Sequence, residues 1–378
     1  MRIGIDGNEA NRKELVGVGR YAQEVIVHLY ALQQKKKTDI SFTIYLKDKP
    51  LPSLPKVQPW WKYEIIGPKP LWTQIVLPFA LYTTKEKPNV FYTPSHYAPR
   101  FLPSPSVISI MDLSYVHFPE MFKKSDLYQL QDWTKYSVKK AKRILTISEH
   151  TKKDIVKEYS IDPQTIIVTY PGYDKTKFSP PAVGSELRIK EIKDKYKIEN
   201  DYILYVGTLQ PRKNIVRLIQ AFAYLKDPKL QLVIVGKKGW LYDDILTKGN
   251  ELGVSERIVF TDYVEEDKLP IFYQNATCFI LPSLYEGFGL TVVEAMACGC
   301  PVIVSNTSSL PEIVGDAGIR INPNDVKNIS SAIKRVLSNS EIRTTMIQQG
   351  FDQIKQFSWE NCAEKTYNIL REVGNSYV

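Results

Sequence analysis

The chain has 378 residues, enough for two domains with cores of their own. Apolar and charged fractions of 43% and 24% exclude a disordered or fibrous chain, and no apolar run approaches the roughly 18 residues of a membrane-spanning helix. The formal net charge of +9 is uneven: residues 1–175 hold 26 Lys and Arg against 17 Asp and Glu, while residues 176–378 hold 24 of each. A basic first half points to an anionic partner, such as a lipid surface, a lipid diphosphate or an acidic glycan; a merely solvated lysine-rich surface is the alternative. Nucleic acid fits less well, because no recognised binding module is present. The first strand begins at Arg2, which leaves no room for a signal peptide. Cys278, Cys298, Cys300 and Cys362 lack zinc-type spacing and read as free thiols in a reducing compartment. The expectation is a cytoplasmic protein that touches the inner face of an anionic membrane peripherally.

In chain order, Met1 to Asp6 reads as a strand. The stretch Gly17-Val18-Gly19-Arg20-Tyr21 leads into a helix with Tyr21, Val25, Ile26 and Leu29 on one face. Ser41 to Leu46 is a strand. Residues 50–72 are rich in Pro and aromatics and read as packed loop, with a membrane-interface use of Trp60, Trp61 and Trp72 as the alternative. Strands follow at Val90–Thr93, Val107–Met111, Arg143–Ile147 and Ile166–Thr169, with a helix over Ser125–Lys142. Ser148 caps a further helix. Phe178 to Asn200 is charged and reads as an interdomain connection. A second βα series then places strands at 202–206, 230–235, 257–260, 278–281, 301–304 and 318–321. The final segment, from Ser358, has Trp359, Cys362, Ala363, Tyr367 and Leu370 at helical spacing. The βα rhythm run twice predicts two doubly wound domains around a cleft.

Within the second series, the strand Cys278–Leu281 runs into the turn Glu286-Gly287-Phe288-Gly289. Leu290–Cys298 then reads as a helix, with Gly299 in the place of a C-terminal cap. Such a βαβ unit binds ligands at the carboxyl ends of its strands, and the amides of the turn favour an anion. Gly207-Thr208-Leu209-Gln210-Pro211-Arg212-Lys213-Asn214, after the first strand of the same series, places two cations before a helix. They suit a sugar-nucleotide diphosphate, whose charge grows as the glycosidic bond breaks.

The stretch E-G-F-G-L-x-x-x-E-A-M-A-x-G-x-P-V, with Glu286 and Glu294 eight residues apart, resembles the signature of family 4 retaining glycosyltransferases of the GT-B fold. The resemblance implies two Rossmann-like domains facing a cleft: 1–175 with 358–378 on the acceptor side, and 176–357 as the donor-binding domain. The last helix would cross back to the first domain. It implies that Glu286 sits near the transferred sugar, that Glu294 holds the ribose hydroxyls, and that amides around Gly287, Phe288, Gly289 and Leu290 meet sugar or phosphate. Lys213 matches the family lysine; Thr208 stands where many members have arginine, so Arg212 would share that load. Gly236, the loop Lys237–Trp240 and Val264 would lie near the base. Gly17 and Gly19 resemble the family's loop over the donor phosphates. No Asp-x-Asp occurs, so the expectation is no metal and no cofactor beyond the nucleotide-sugar cosubstrate.

VGTLQPRKN and MDLSYVHFPE look most like bacterial mannosyltransferases of polysaccharide assembly. They imply GDP-mannose as donor and a glycan or lipid-linked acceptor. Beside Asp112, Met111 stands where the family commonly has a histidine next to the donor sugar. Either Asp112, His96 or His117 supplies the missing hydrogen bond, or the donor is a 6-deoxy sugar. Another GT-B enzyme, such as a sugar-nucleotide epimerase, and a UDP-sugar donor remain alternatives. A Rossmann oxidoreductase is discounted for want of G-x-G-x-x-G after a first strand. A non-catalytic carbohydrate-binding protein would need fewer charged groups than Glu286, Lys213 and Glu294.

Overall fold

The computed structural model describes all residues except 16, 183, 185, 240, 241, 377 and 378. The chain forms two compact units: Met1–Gly172 with Ser358–Val378, and Tyr173–Phe357.

The first unit is a parallel sheet of seven strands: β1 (Arg2–Asp6), β2 (Ser41–Leu46), β3 (Trp61–Ile65), β4 (Val90–Thr93), β5 (Ser106–Ile110), β6 (Arg143–Thr146) and β7 (Ile166–Val168). Their spatial order is β3-β2-β1-β4-β5-β6-β7. β4 and β5 are buried at every position, as expected of strands covered on both faces. The chain steps outward from β1 to β2 and β3, then returns to the other side of β1 with β4. The strand order therefore reverses between β1 and β4.

The second unit has six parallel strands: β8 (Tyr202–Val206), β9 (Gln231–Val235), β10 (Ile258–Phe260), β11 (Cys278–Leu281), β12 (Val302–Ser305) and β13 (Gly318–Ile321). Their order is β10-β9-β8-β11-β12-β13, so the same reversal falls between β8 and β11.

Three expectations from the sequence need correction. Residues 50–72 contain the strand β3, paired in parallel with β2. Trp61 and Trp72 are fully buried, so they are core residues and not membrane anchors. Residues 178–200 are not a connection: Glu186–Tyr196 is a helix of the second unit, and the chain passes between units at Gly172 and Tyr173. The helix expected over Ser125–Lys142 is interrupted by a π-helical turn at Gln129–Trp133.

The helix Val18–Lys36 buries Tyr21, Ala22, Val25, Ile26 and Leu29. The last helix, Trp359–Asn375, packs against it, capped by Ser358, whose Oγ accepts from the Asn361 amide. The Tyr21 and Trp359 rings lie 6.0 Å apart, and Tyr367 Oη donates to Gln33 Oε1 at 3.1 Å. A side chain on Gly172 would meet the Trp359 amide nitrogen at 2.0 Å, so the chain leaves the first unit beside the place where it re-enters. Among the described residues no helix is long and apolar enough to cross a membrane.

Candidate active site

The reversal between β8 and β11 opens a crevice at the carboxyl ends of the strands, where open α/β sheets bind ligands. Three loops meet there through their backbones. Gly236 follows β9, and a Cβ on it would sit 1.9 Å from the Gly207 carbonyl, so only glycine lets the loops after β8 and β9 touch. Leu209 N–H donates to Lys237 O at 2.9 Å, and Gly236 N–H donates to Asp262 O at 3.0 Å, which ties in the loop after β10. Val264 in that third loop is buried, and Lys237 lies over the Tyr263 ring at 4.5 Å.

The loop after β11 carries Glu286, which is 7% exposed. Lys213 Nζ donates to its Oε1 at 2.6 Å, Ser283 Oγ donates to the same oxygen at 2.7 Å, and the Arg212 guanidinium lies 3.5 Å from Oε2. Arg212 also donates to the Tyr285 carbonyl. Burial alone would raise the Glu286 pKa. The Lys213 ammonium, the Arg212 guanidinium and the hydrogen bonds from Lys213 and Ser283 outweigh it and hold the carboxyl below its ordinary value.

The turn is fixed from behind. Ser308 Oγ accepts from the Glu286 amide at 2.9 Å, and Ser309 Oγ donates to the carbonyls of Glu286 and Phe288. Phe288 is buried, edge-on to Phe357 at 5.3 Å. Gly289 has φ +100°, a conformation that favours glycine, and starts the helix Leu290–Ala297. Gly287 is buried, while Leu290 is half-buried in the first helical turn. Glu294 is buried one helical face further on, where Tyr273 Oη donates to its Oε2 at 3.2 Å. Thr208 is half-buried at the end of β8.

The structure thus gathers Arg212, Lys213 and Glu286 into one ionic cluster and places Thr208, Gly236, Val264, Gly287, Phe288, Gly289, Leu290 and Glu294 in the same unit. Trp240 lies outside the described residues. Gly17, Gly19 and Asp112 belong to the first unit. Gly17, at φ +47°, has open space where a side chain would go, whereas a Cβ on Gly19 would meet the Glu9 carbonyl at 3.0 Å. Asp112 Oδ1 accepts from the Ser114 amide at 2.8 Å, and Met111 is buried. Of the histidines, His117 pairs with Asp154 at 3.1 Å, while His96 keeps a buried Nδ1 that takes no hydrogen bond from any described residue.

Sequence reasoning missed several groups. Tyr205, in β8, is fully buried with an unpartnered Oη, and burial, then the Glu286 charge, push it well above the ordinary tyrosine pKa. Asn214, in a left-handed conformation, donates to the carbonyls of Pro282 and Pro323 and so fixes the start of the helix that follows Lys213. Ser308 and Ser309 lie more than 20 residues from the carboxylate whose loop they hold, and nothing local in Asn306-Thr307-Ser308-Ser309 announces that role.

A family profile described as "Glycosyl transferases group 1" matches residues 188–353. The O-antigen chain mannosyltransferase B of Escherichia coli is 37% identical over 290 residues, 75% of this chain and 74% of the relative. The chain belongs to the group 1 glycosyltransferases. O-antigen chain mannosyltransferase RfbU of Salmonella typhimurium is similar at 28% identity, over 70% of this chain and 69% of that protein. Among solved structures, sucrose-phosphate synthase from Thermosynechococcus elongatus superposes with a TM-score of 0.75 at 18% identity, covering 99% of each chain. Anabaena Alr3699/HepE, solved with UDP and glucose, superposes at 0.74 and 16% identity, covering 98% of this chain and all of that one. These likenesses show that this glycosyltransferase has the GT-B fold.

Proposed function

We propose that this glycosyltransferase moves mannose from GDP-mannose to a growing glycan, with retention and without a metal. The observation that carries the reading is the buried Lys213–Arg212–Glu286 cluster at the β8/β11 reversal. Taking such charges out of water is costly, and a well-packed apolar cluster would serve stability as well or better. A buried charge cluster placed at the strand-order reversal, where such sheets bind ligands, points to chemistry.

Two cations there would meet a donor diphosphate and offset the charge that develops on its leaving oxygen. Glu286, held ionised, would orient the cations and the transferred sugar and stabilise its oxocarbenium-like state. A front-face displacement, in which the leaving phosphate oxygen accepts the acceptor's proton, needs no enzyme nucleophile, and Glu286 is not assigned as one. Glu294 would take the ribose hydroxyls, since a carboxylate accepts two such bonds. The choice of mannose rests on the two O-antigen chain mannosyltransferases to which the chain is similar. The acceptor would bind the first unit.

The test is release of nucleoside diphosphate across a panel of sugar nucleotides, with and without EDTA. GDP-mannose should be turned over best, and chelator should leave the rate unchanged. Lys213→Ala and Glu286→Gln should each lower kcat by on the order of 100-fold or more, as loss of preorganised charge does. Turnover that EDTA abolishes and Mg²⁺ restores would refute the metal-free reading, and epimerisation of the sugar nucleotide alone would refute transfer.

A further inference from the structure

One hydroxyl of the second unit has no use in the free protein. Tyr205 stands in β8, just before the loop that carries Gly207, Arg212 and Lys213. It is fully buried, and no described residue hydrogen-bonds its Oη. A buried hydroxyl without a partner is destabilising, and phenylalanine would fill the same space without that cost. The hydroxyl lies under the crevice: a Cβ on Gly207 would sit 2.9 Å from Tyr205 Oη, so glycine there leaves it room. The charges that act on it are those of Glu286 and Arg212. Burial and the Glu286 charge keep the phenol protonated, so Tyr205 has a proton to donate.

Glu286 is the group that would need this proton. In the free protein Lys213 Nζ and Ser283 Oγ hold its Oε1, at 2.6 and 2.7 Å, and the Arg212 guanidinium stands 3.5 Å from Oε2. A diphosphate carries more negative charge than one carboxylate and competes for both cations. Once they turn to it, Oε1 keeps Ser283 and Oε2 is left bare, on a carboxylate only 7% exposed. An unpaired buried charge is costlier than an unpaired hydroxyl. The charged and titratable groups at Glu286 are Lys213, Arg212 and Tyr205. Ser308 and Ser309, from the loop after β12, already donate to backbone carbonyls. Tyr205 is the neighbour whose proton is uncommitted.

We propose that Tyr205 is a positioning residue: it donates to Glu286 when a bound diphosphate draws Lys213 and Arg212 away, and so keeps the carboxylate ionised and in place for the transferred sugar. The proposal rests on the donor-site reading above and adds a second arrangement of the same cluster, made only in the nucleotide complex.

Calorimetric titration of the full chain with GDP, and separately with UDP, tests it in wild type, Tyr205→Phe, Glu286→Gln and the double variant. The nucleotide that binds tighter should lose about tenfold in affinity in Tyr205→Phe, as for loss of a hydrogen bond to a charged acceptor. The free variant should melt no lower than wild type, because the missing hydroxyl has no partner there. In the Glu286→Gln background the same substitution should cost at most about twofold, since the two side chains act as a pair. The tenfold gap should narrow as pH falls toward about 5, because Glu286 without Tyr205 takes up a proton more readily in the complex. Unchanged affinity in Tyr205→Phe, a lower melting temperature, an equal loss in both backgrounds, or a gap that does not move with pH would each overturn the proposal. Lys213→Ala keeps the two readings apart. If it leaves nucleotide affinity unchanged, or neither nucleotide binds wild type, the donor-site reading fails and this proposal with it. If it weakens binding while Tyr205→Phe does not, the donor site stands and the role given to Tyr205 is wrong.

Discussion

Asp6 ends a central strand with burial pushing its carboxyl up from 3.8 to about 6, against the lowering pull of Asn8 and Lys47. The folded state therefore binds more protons than the unfolded chain across that window. The contribution of Asp6 to stability is greatest below 3.8 and falls as pH rises through about 6, by roughly 3 kcal/mol in all. Asp6→Asn should remove this penalty: the variant should be more stable than wild type at pH 8 by up to that amount and no more stable at pH 4. Urea unfolding at the two pH values measures it, and a gain that does not change with pH would show that the carboxyl is not perturbed. Glu286 has the opposite sign. Its lowered pKa contributes stability above about 4.5 that is lost as acid protonates it. One buried carboxylate is thus held ionised by cations, and the other is held reluctantly. The cations that hold Glu286 ionised lie 73 and 74 residues away along the chain, and the residues Ile5-Asp6-Gly7 carry no sign of how deeply Asp6 is buried.

At the level of elements, the turn after β11 was legible because its constraints are local. Gly289 takes φ +100° and Gly299 takes φ +74°, positions that only glycine fills without strain, and the carboxylates fall on the turn and helix that these glycines bound. β3 was not legible, since a five-residue edge strand among prolines carries too little alternation to stand out. The helix Glu186–Tyr196 was hidden by its composition: it buries only Ile192, so it shows almost no apolar face. Loop contacts were the other blind spot. Gly236 matched a family position, yet its physical role is the approach of the Gly207 carbonyl from a loop almost 30 residues earlier. Gly236→Ala should push the loops after β8 and β9 apart, at a cost of about 1–3 kcal/mol in overpacking. GDP affinity should fall. Unchanged GDP affinity would mean that these loops do not shape the donor site.

Across the whole molecule, charge is partitioned as sharply as fold. The surplus of Lys and Arg in residues 1–175 falls almost wholly in the first unit. An exposed surplus of this kind favours association with anionic surfaces. Anionic liposomes should retain the protein at low salt and release it as ionic strength rises, because screening shortens the reach of exposed charge. Equal retention by neutral vesicles would refute this.

The contact between Gly172 and Trp359 carries one more consequence. The second unit both begins and ends at neighbouring points of the first, so in topological terms it is a guest inserted into a host through a single doorway. Such an arrangement is modular. Residues 173–357 could be exchanged for the corresponding piece of another enzyme of the fold with only two joints to match, both at the same spot. The host would keep its seven-stranded sheet and its closing helix. The two units could then diverge separately, as replaceable cassettes, within one lineage of chains.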